Sequence, residues 1–259
     1  MIVVNNLWKR YGKLQVLKGL NLQVLDGETV IILGRSGVGK SVLLRQIIGI
    51  EKPDEGYVEV NGIRVTSINL QSNFEVMRHM GMLFQSAALF DSMNIGDNVG
   101  FYLKQHFPDM PPGENRDRIT HALEVVGLAG TEDKMPSDLS GGMRKRAALA
   151  RVIVYRPSLI LFDEPTTGLD PITAMQINEL INKTKEELNA TIIVVTHDIK
   201  SAFEVGDRLA FHQNGIIEHV ATKEEFIKID DPVLKEFFSN AMISFDNIKH
   251  SKHEETNHG

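Results

Sequence analysis

The pattern of hydrophobic and polar positions divides the chain into a strand-rich start and a longer region of alternating strands and helices. Near the amino terminus, short β-branched runs are separated by turns rich in glycine, asparagine and proline, which indicates antiparallel strands. The clearest hairpin places residues 58–60 and 63–65 on either side of Asn61-Gly62, because Asn-Gly adopts positive φ at little cost. Residues 159–162 and 191–195 form unbroken, mostly apolar runs, which are typical of strands buried on both faces of a parallel sheet.

Helices are predicted between these strands. Apolar residues recur at helical spacing from Ser41 to Gly49, and the clearest helix covers residues 171–188. The stretch from about 87 to 156 has no comparable strand run and predicts a mostly helical sub-domain inserted into the sheet domain. The fold class that follows is α/β, with a mostly parallel core sheet, an antiparallel amino-terminal β sub-domain and an inserted α-helical sub-domain.

The carboxyl-terminal part is predicted to contain two more strands and an interrupted helix. The strands cover residues 208–211 and 215–219, and a capping-box pattern that begins at Thr222 opens a helix containing Phe226. We expect Pro232 to end or kink that helix, which resumes over residues 233–238 and packs on its own domain. Residues 1–240 then form one domain, and the polar residues 241–259 form a flexible tail.

The composition excludes several classes of protein. The 259 residues fit one large domain with a sub-domain, and the absence of cysteine excludes disulfides, cysteine-ligated metal sites and thiol nucleophiles. No apolar run approaches the roughly 18 residues of a membrane span, and the first residues do not resemble an export signal. We therefore expect a chain that stays in the cytoplasm. The net charge of -6 argues against nucleic acid as a partner.

The first candidate for chemistry is a glycine-rich loop between a buried strand and a helix. It matches every position of a phosphate-binding P-loop and consists of Gly34, Arg35, Ser36, Gly37, Val38, Gly39, Lys40 and Ser41. The glycines let consecutive N–H groups surround phosphate oxygens at the positive end of the following helix. Lys40 is expected to reach the β- and γ-phosphates of a nucleotide, and the Ser41 hydroxyl to bind Mg²⁺.

Two carboxylates follow the apolar strand at residues 159–162. Asp163 is expected at the carboxyl edge of the sheet beside the P-loop, where it can hold the Mg²⁺ shell. Glu164 can face the water that attacks the γ-phosphate and act as its general base. By themselves these residues are equally consistent with ordinary surface carboxylates. The P-loop upstream favours the catalytic interpretation.

A second candidate anion site lies at the start of the helix that follows Leu139. It consists of Ser140, Gly141 and Gly142. Ser140 can cap the helix, and the free N–H groups of its first turn attract an anion. Because one nucleotide does not need two phosphate-binding elements from the same chain, we expect this element to serve a partner's nucleotide in a head-to-tail homodimer with two composite sites. A plain helix cap with glycines is the alternative.

In their order along the chain, these motifs resemble those of the ATP-binding subunits of ABC transporters, and the resemblance extends from Ile2 to about residue 240. It implies an ABC cassette with the P-loop NTPase fold, which hydrolyses ATP with Mg²⁺. It also implies roles for four further residues. Gln85 senses the γ-phosphate through Mg²⁺, Asp170 crosses the dimer interface, His197 contacts the γ-phosphate, and Tyr11 stacks on adenine.

Three stretches resemble the Mla-type ATPases of phospholipid transport in particular. They are Met143 with its basic context up to Arg151, residues 84–94, and residues 231–237. This resemblance implies phospholipid transport between membranes by a complex with an MlaE-like integral-membrane permease and a lipid-binding MCE protein, with a STAS-domain protein as a further candidate subunit. The chain would then be peripheral to the cytoplasmic face of the inner membrane. The alternatives are the ATPase of an importer of small polar solutes or ions, a non-transport ABC ATPase, and a nucleotide-binding module without turnover.

Aromatic and apolar residues cluster after Gln85, where the ABC family docks its permease. They are Phe84, Leu89, Phe90, Phe101, Tyr102 and Phe107. Such residues form either an exposed docking groove or the core of a sub-domain. We expect a mixture, with about half of them facing the partner.

Overall fold

Two β-sheets packed against each other form the framework of the protein. The computed structural model describes residues 1–65, 74 and 76–240. The smaller sheet consists of β1 (Ile2–Tyr11), β2 (Leu14–Val24), β4 (Glu55–Val60) and β5 (Ile63–Arg64). The larger sheet consists of β3 (Thr29–Leu33), β6 (Met80–Leu83), β7 (Leu159–Asp163), β8 (Thr191–Thr196), β9 (Arg208–Gln213) and β10 (Ile216–Thr222). The smaller sheet is antiparallel, in the order β2-β1-β4-β5, and the larger has the order β10-β9-β3-β8-β7-β6.

Helices connect the strands of the larger sheet. They are α1 (Lys40–Ile47), α2 (Ile95–His106), α3 (Pro112–Val125), α4 (Gly141–Ile153), α5 (Pro171–Leu188), α6 (Ile199–Val205), α7 (Lys223–Phe226) and α8 (Pro232–Asn240), with a 3-10 turn at Pro136–Asp138 before α4. Within the described ranges, none of these helices is both long enough and apolar enough to cross a membrane.

The larger sheet is buried on both faces, as the alternate side chains of β3 show. Val30 and Ile32 join an apolar core shared with α1 and the smaller sheet, whereas Ile31 and Leu33 join a second core formed with the other helices. β3 pairs in parallel with both β8 and β9, and all of its residues are buried. The loop that follows Leu33 is therefore anchored in the centre of the molecule.

The predicted α/β class is confirmed, with an antiparallel amino-terminal sheet and a mostly parallel core sheet. At the predicted hairpin, Asn61 and Gly62 have φ angles of 50° and 80°, as a type I′ turn requires. The helices α2, α3 and α4 occupy the stretch in which a helical sub-domain is predicted. The domain limit at residue 240 stays a prediction, and the predicted tail at 241–259 lies outside the described residues.

The carboxyl-terminal helices differ from the prediction at Pro232. Because α7 already ends at Phe226, Pro232 neither ends nor kinks it and is instead the first residue of α8. Its missing N–H is harmless at that position, and the Asp231 carboxylate accepts hydrogen bonds from the N–H groups of Val233 and Leu234 at 2.7 and 3.0 Å. The aromatic side chains of α7 and α8 are buried within the chain, which confirms that this segment packs on its own domain.

Candidate active site

The P-loop connects the end of β3 to the start of α1, and its shape depends on glycine. Gly37 and Gly39 have φ angles of 82° and 107°, which side chains disfavour. A Cβ atom on Gly39 would lie 2.5 Å from Val16 Cγ1, and one on Gly34 would lie 2.5 Å from the carbonyl oxygen of His212. The backbone can therefore curl tightly around an anion at the start of α1, where the helix dipole favours negative charge.

Lys40 is held inside the P-loop by oxygen atoms of its own chain. Its ammonium donates hydrogen bonds to the carbonyl oxygens of Gly34 at 2.7 Å and Arg35 at 3.0 Å. It also lies 3.2 Å from Glu164 Oε1, and its side chain is only 5% exposed. The Lys40 ammonium is thus fixed at the loop. A bound phosphate would replace the Glu164 carboxylate as its anionic partner.

Of the three residues predicted to hold Mg²⁺, Ser41, Gln85 and Asp163, the first and last are in contact, because the Ser41 hydroxyl donates a hydrogen bond to Asp163 Oδ1 at 2.8 Å. Burial raises the pKa of Asp163, and the hydrogen bond from Ser41 opposes that shift. Hydroxyl and carboxylate oxygens are the hard donors that Mg²⁺ prefers, and a cation here would offset the desolvation of the carboxylate. The donor set therefore fits Mg²⁺.

Glu164 follows β7 in a strained but firmly held conformation. Its φ of 49° lies in the left-handed region, which is uncommon for residues other than glycine. Its N–H donates to the carbonyl oxygen of Val195 at 2.9 Å. Its Oε2 accepts from the Thr167 hydroxyl at 3.1 Å and contacts His197 Nδ1 at 2.9 Å. Strain of this kind persists where the surrounding contacts fix a residue, often at functional sites.

These groups converge in one cleft of about 440 Å³. The predicted site residues that line it are Tyr11, Ser36, Gly37, Gly39, Lys40, Ser41, Gln85, Glu164 and His197. Gly34, Arg35 and Val38 of the P-loop are not among the lining residues, and neither is Asp163. Tyr11 stands at the end of β1 with 43% of its surface exposed, so a flat ligand could stack on its ring. The cleft can therefore hold a nucleotide with its phosphates beside a lysine, a carboxylate and a histidine.

Four more predicted site residues do not line this cleft and lie at the starts of α4 and α5: Ser140, Gly141, Gly142 and Asp170. The first three form what we call the signature element. Ser140 Oγ accepts a hydrogen bond from the Met143 N–H at 3.3 Å, and the Asp170 carboxylate caps α5 by accepting from the N–H and hydroxyl of Thr173 at 3.0 and 2.6 Å. A Cβ atom on Gly142 would lie 2.6 Å from Thr173 Cγ2. The two helix starts therefore pack together on a surface separate from the P-loop.

Two residues of the site are missed by sequence reasoning. Thr167 lines the cleft and donates to Glu164, and its place three residues after the predicted base is the signal that could have found it. His212 on β9 is 1% exposed beneath the P-loop. Burial lowers the pKa of His212 to about 4, and the charge of Lys40 adds to the effect. No local motif marks His212, because β9 reaches the loop only by pairing with β3.

Comparison with known proteins points to one family. A family model described as ABC transporter matches residues 17–167. A probable ribonucleotide transport ATP-binding protein of Mycobacterium tuberculosis is 36% identical over 98% of this chain and 71% of the relative. The intermembrane phospholipid transport system ATP-binding protein MlaF of Haemophilus influenzae is 40% identical over 89% of this chain and 87% of the relative. The Fe(3+) ions import ATP-binding protein FbpC of Pasteurella multocida is 37% identical over 93% and 68%.

A solved structure has the same fold. The ATP-binding cassette MJ0796, determined as a dimer in a post-hydrolysis state bound to ADP and Pi, superimposes with a TM-score of 0.79. It is 33% identical, and the match covers 86% of this chain and 98% of that one. The cleft at the P-loop is thus found in a fold that, in that relative, was determined as a dimer with ADP and Pi bound.

Proposed function

From the premise that this chain belongs to the ABC transporter family as an ATP-binding subunit, we propose that it hydrolyses ATP to power phospholipid transport between membranes through an Mla-type permease. Membership of the family makes the chain an ABC-type ATPase. The observation that carries the chemistry is the convergence of Lys40, Ser41, Glu164 and His197 on one cleft. The lipid substrate is supported by the similarity to MlaF and by Met143 in the signature context.

The contacts of Glu164 suggest how its base function is controlled. One carboxylate oxygen, Oε2, is fixed by Thr167 and His197, whereas Oε1 is 3.2 Å from the ammonium of Lys40. A phosphate bound at the P-loop competes for that ammonium, because two anions share one cation. When Lys40 turns to the phosphate, Oε1 is released and can accept a proton from the attacking water. Binding of the nucleotide thus exposes the base that acts on it.

Charge stabilisation is the other part of the proposed chemistry. Ser41 and Asp163 would hold Mg²⁺, with Gln85 nearby in the cleft, and the ion would neutralise charge between the β- and γ-phosphates. Lys40 and the P-loop N–H groups would stabilise the charge that develops on the transferred phosphoryl group. His197, which contacts Glu164, would detect the γ-phosphate.

A homodimer would complete each ATP site. Ser140, Gly141 and Gly142 lie outside the cleft of their own chain, although the capped start of α4 has the free N–H groups of an anion site. The dimeric cassette with 33% identity supports a homodimer. In the proposed head-to-tail pair, this element faces the partner's nucleotide. Asp170, at the neighbouring helix start, would lie in the same interface.

The remaining partners are proposed from the resemblance to Mla systems. They are an MlaE-like permease and a lipid-binding MCE protein, with a STAS-domain protein as a further candidate subunit. The chain would be peripheral to the cytoplasmic face of the inner membrane. Phe90 and Phe107, in the region expected to dock the permease, are 42% and 45% exposed. Phe101 and Tyr102 are half-buried behind them, with the Phe101 ring 4.9 Å from that of Phe90. The two exposed rings are the proposed contacts with the permease.

The alternative is the ATPase of an importer of ions or small polar solutes, which the similarity to FbpC supports. The two proposals share the ATP site and differ in the attached proteins. We therefore propose purification of the complex from membranes, identification of its proteins and lipids, and measurement of ATP-dependent phospholipid transfer between vesicles, with Glu164→Gln as the inactive control. Transfer that requires ATP and Glu164 supports the lipid proposal. A complex that transfers no lipid, but whose ATPase is stimulated by a co-purified solute-binding protein, supports the importer.

A further inference from the structure

Lys145 lies inside α4, on the side that faces the turn after Glu164. Its side chain is buried, with an exposure of 7%, and its ammonium donates hydrogen bonds to the carbonyl oxygens of Pro165 and Thr167, both at 2.7 Å. A buried cation is costly unless its donors are bonded, so these two carbonyl groups explain why a lysine is tolerated here. Among the described residues, Lys145 is therefore a buried residue that stabilises the turn next to the active site, not a surface lysine.

The turn that Lys145 contacts is the turn that holds Glu164. Thr167 gives its carbonyl oxygen to Lys145 and its hydroxyl proton to Glu164 Oε2. Its N–H also donates to the carbonyl oxygen of Glu164 at 3.3 Å. Burial lowers the pKa of Lys145, and attraction to the charge of Glu164 opposes that shift, so the two charges interact. Lys145 thus stabilises both ends of the turn whose shape sets the position of the carboxylate.

The helix that carries Lys145 also carries the signature element. Gly142 packs closely on Thr173 of α5, and Ser140 caps the first turn of α4. In a head-to-tail dimer, the signature element serves the partner's nucleotide, whereas Glu164 serves the nucleotide on its own P-loop. The hydrogen bonds of Lys145 therefore connect the signature helix, which belongs to one ATP site, with the turn after Glu164, which belongs to the other.

We propose that Lys145 is a positioning residue for hydrolysis, which fixes the turn at residues 165–167, and with it the Glu164 carboxylate, against the signature helix. This inference rests on the proposed roles of Glu164 and of the signature element. Removing the ammonium would leave two carbonyl oxygens without their donor, and the turn could relax. A displacement of a catalytic group by about 1 Å can cost on the order of 100-fold in rate, while the P-loop that binds ATP would be unchanged.

The first test is Lys145→Met in the assembled transporter, because methionine keeps the volume and removes the charge. We expect kcat to fall about 10- to 100-fold, while KM for ATP and the affinity for a non-hydrolysable analogue stay at parental values. Lys183→Met, at an exposed position of α5, is the matched control and should keep the parental kcat. A parental kcat in Lys145→Met, or a loss that merely follows the loss of folded protein measured by circular dichroism, would overturn the proposal.

The absence of cysteine from the chain allows a rescue experiment. Lys145→Cys can be alkylated with 2-bromoethylamine in denaturant and refolded, which restores a lysine-like ammonium on a thioether side chain. We expect low kcat before alkylation and substantial recovery after it. Lys183→Cys, treated in the same way, controls for refolding. Recovery of that control without recovery at position 145 would contradict the proposal.

Mixed dimers test which ATP site Lys145 serves. When Lys40→Ala chains are paired with Ser140→Arg chains, the intact site uses the P-loop and Glu164 of the Ser140→Arg chain. Adding Lys145→Met to that chain should lower the rate more than adding it to the Lys40→Ala chain. The reverse order would show that Lys145 acts through the signature element instead. Glu164→Gln distinguishes failure of this inference from failure of the proposed function. Full ATPase activity of Glu164→Gln would contradict the role of Glu164 as the base. An active Lys145→Met together with an inactive Glu164→Gln would contradict only the role of Lys145.

Discussion

The P-loop and the signature element both lie at the start of a helix, where free N–H groups favour an anion, but only the P-loop lies in the cleft formed by its own chain. The P-loop begins at the buried strand β3, and its lysine is 5% exposed among carbonyl and carboxylate oxygens of the same chain. The signature element begins at exposed Ser140 and Gly141 and is stabilised by the packing of Gly142 on α5. One element is thus anchored from the core, and the other is an outward-facing helix start. This difference is what a composite site between two chains requires.

The largest effect is expected from Glu164→Gln, which removes the proposed general base beside the P-loop but leaves the P-loop able to bind ATP. The amide keeps the shape of the carboxylate but cannot accept a proton from water, so hydrolysis should fall about 10²- to 10⁴-fold. ATP should still bind, and the closed dimer should accumulate. ATPase assays of the assembled transporter, with size-exclusion chromatography in ATP, measure both results. Hydrolysis near the parental rate would show that another group is the base.

The second prediction concerns variants in which the P-loop and the signature element are damaged separately. Lys40→Ala disables the P-loop, and Ser140→Arg blocks the signature element, so each pure dimer loses both composite sites. In an equal mixture, half of the dimers are mixed and hold one intact site, so about one quarter of the parental activity should return if the sites act independently. ATPase activity before and after mixing is the measurement. If both pure variants hydrolyse ATP normally, the two elements do not share a nucleotide.

The two elements also differ in how far the sequence could predict them. The P-loop and the Asp163-Glu164 pair are local patterns, because each combines a strand, a loop and a helix that are adjacent in the chain. The parallel direction of most strands in the larger sheet follows from the alternation of strands and helices along the chain. The supports of the site are not local. The requirement for glycine at Gly34 comes from the carbonyl oxygen of His212, and the carbonyl groups that bind Lys145 lie beyond α4 in the chain. Such contacts appear only when the sheet and helices are assembled.

The third prediction concerns the buried support of the P-loop. His212 has a folded-state pKa lowered from 6.5 to about 4, so the unfolded chain binds its proton first and stability is lost as pH falls from about 6.5 towards 4. At about 1.4 kcal/mol per pKa unit, the full loss is on the order of 3 kcal/mol. His212→Leu should remove this part of the acid sensitivity. It should cost little at pH 7, because neither ring nitrogen of His212 has a hydrogen-bond partner among the residues that the structure describes.

Urea unfolding of both proteins at neutral pH and near the lower end of this window measures the difference in the free energy of unfolding. Other groups also titrate there, so the informative quantity is the gap between the two proteins rather than either curve. His106→Gln, which replaces an exposed histidine of α2, is the control and should keep the parental pH dependence. Parallel curves for His212→Leu and the parental protein would contradict the assignment.

The smallest effect is expected from the loss of a helix cap. Comparing two such losses distinguishes a capping role of Ser140 from an anion-binding role. Ser140 Oγ accepts from the Met143 N–H at 3.3 Å, and Thr222 Oγ1 accepts from the Glu225 N–H at 3.4 Å at the start of α7. Replacing either cap by alanine should cost about 1 kcal/mol of unfolding free energy, measurable by urea denaturation. Thr222→Ala should keep the parental ATPase activity, because α7 lies outside the cleft and the signature element. Ser140→Ala should lower activity as well if, as proposed, the same hydroxyl also faces the partner's phosphate. Equal ATPase activities in the two variants would show that Ser140 is only a helix cap.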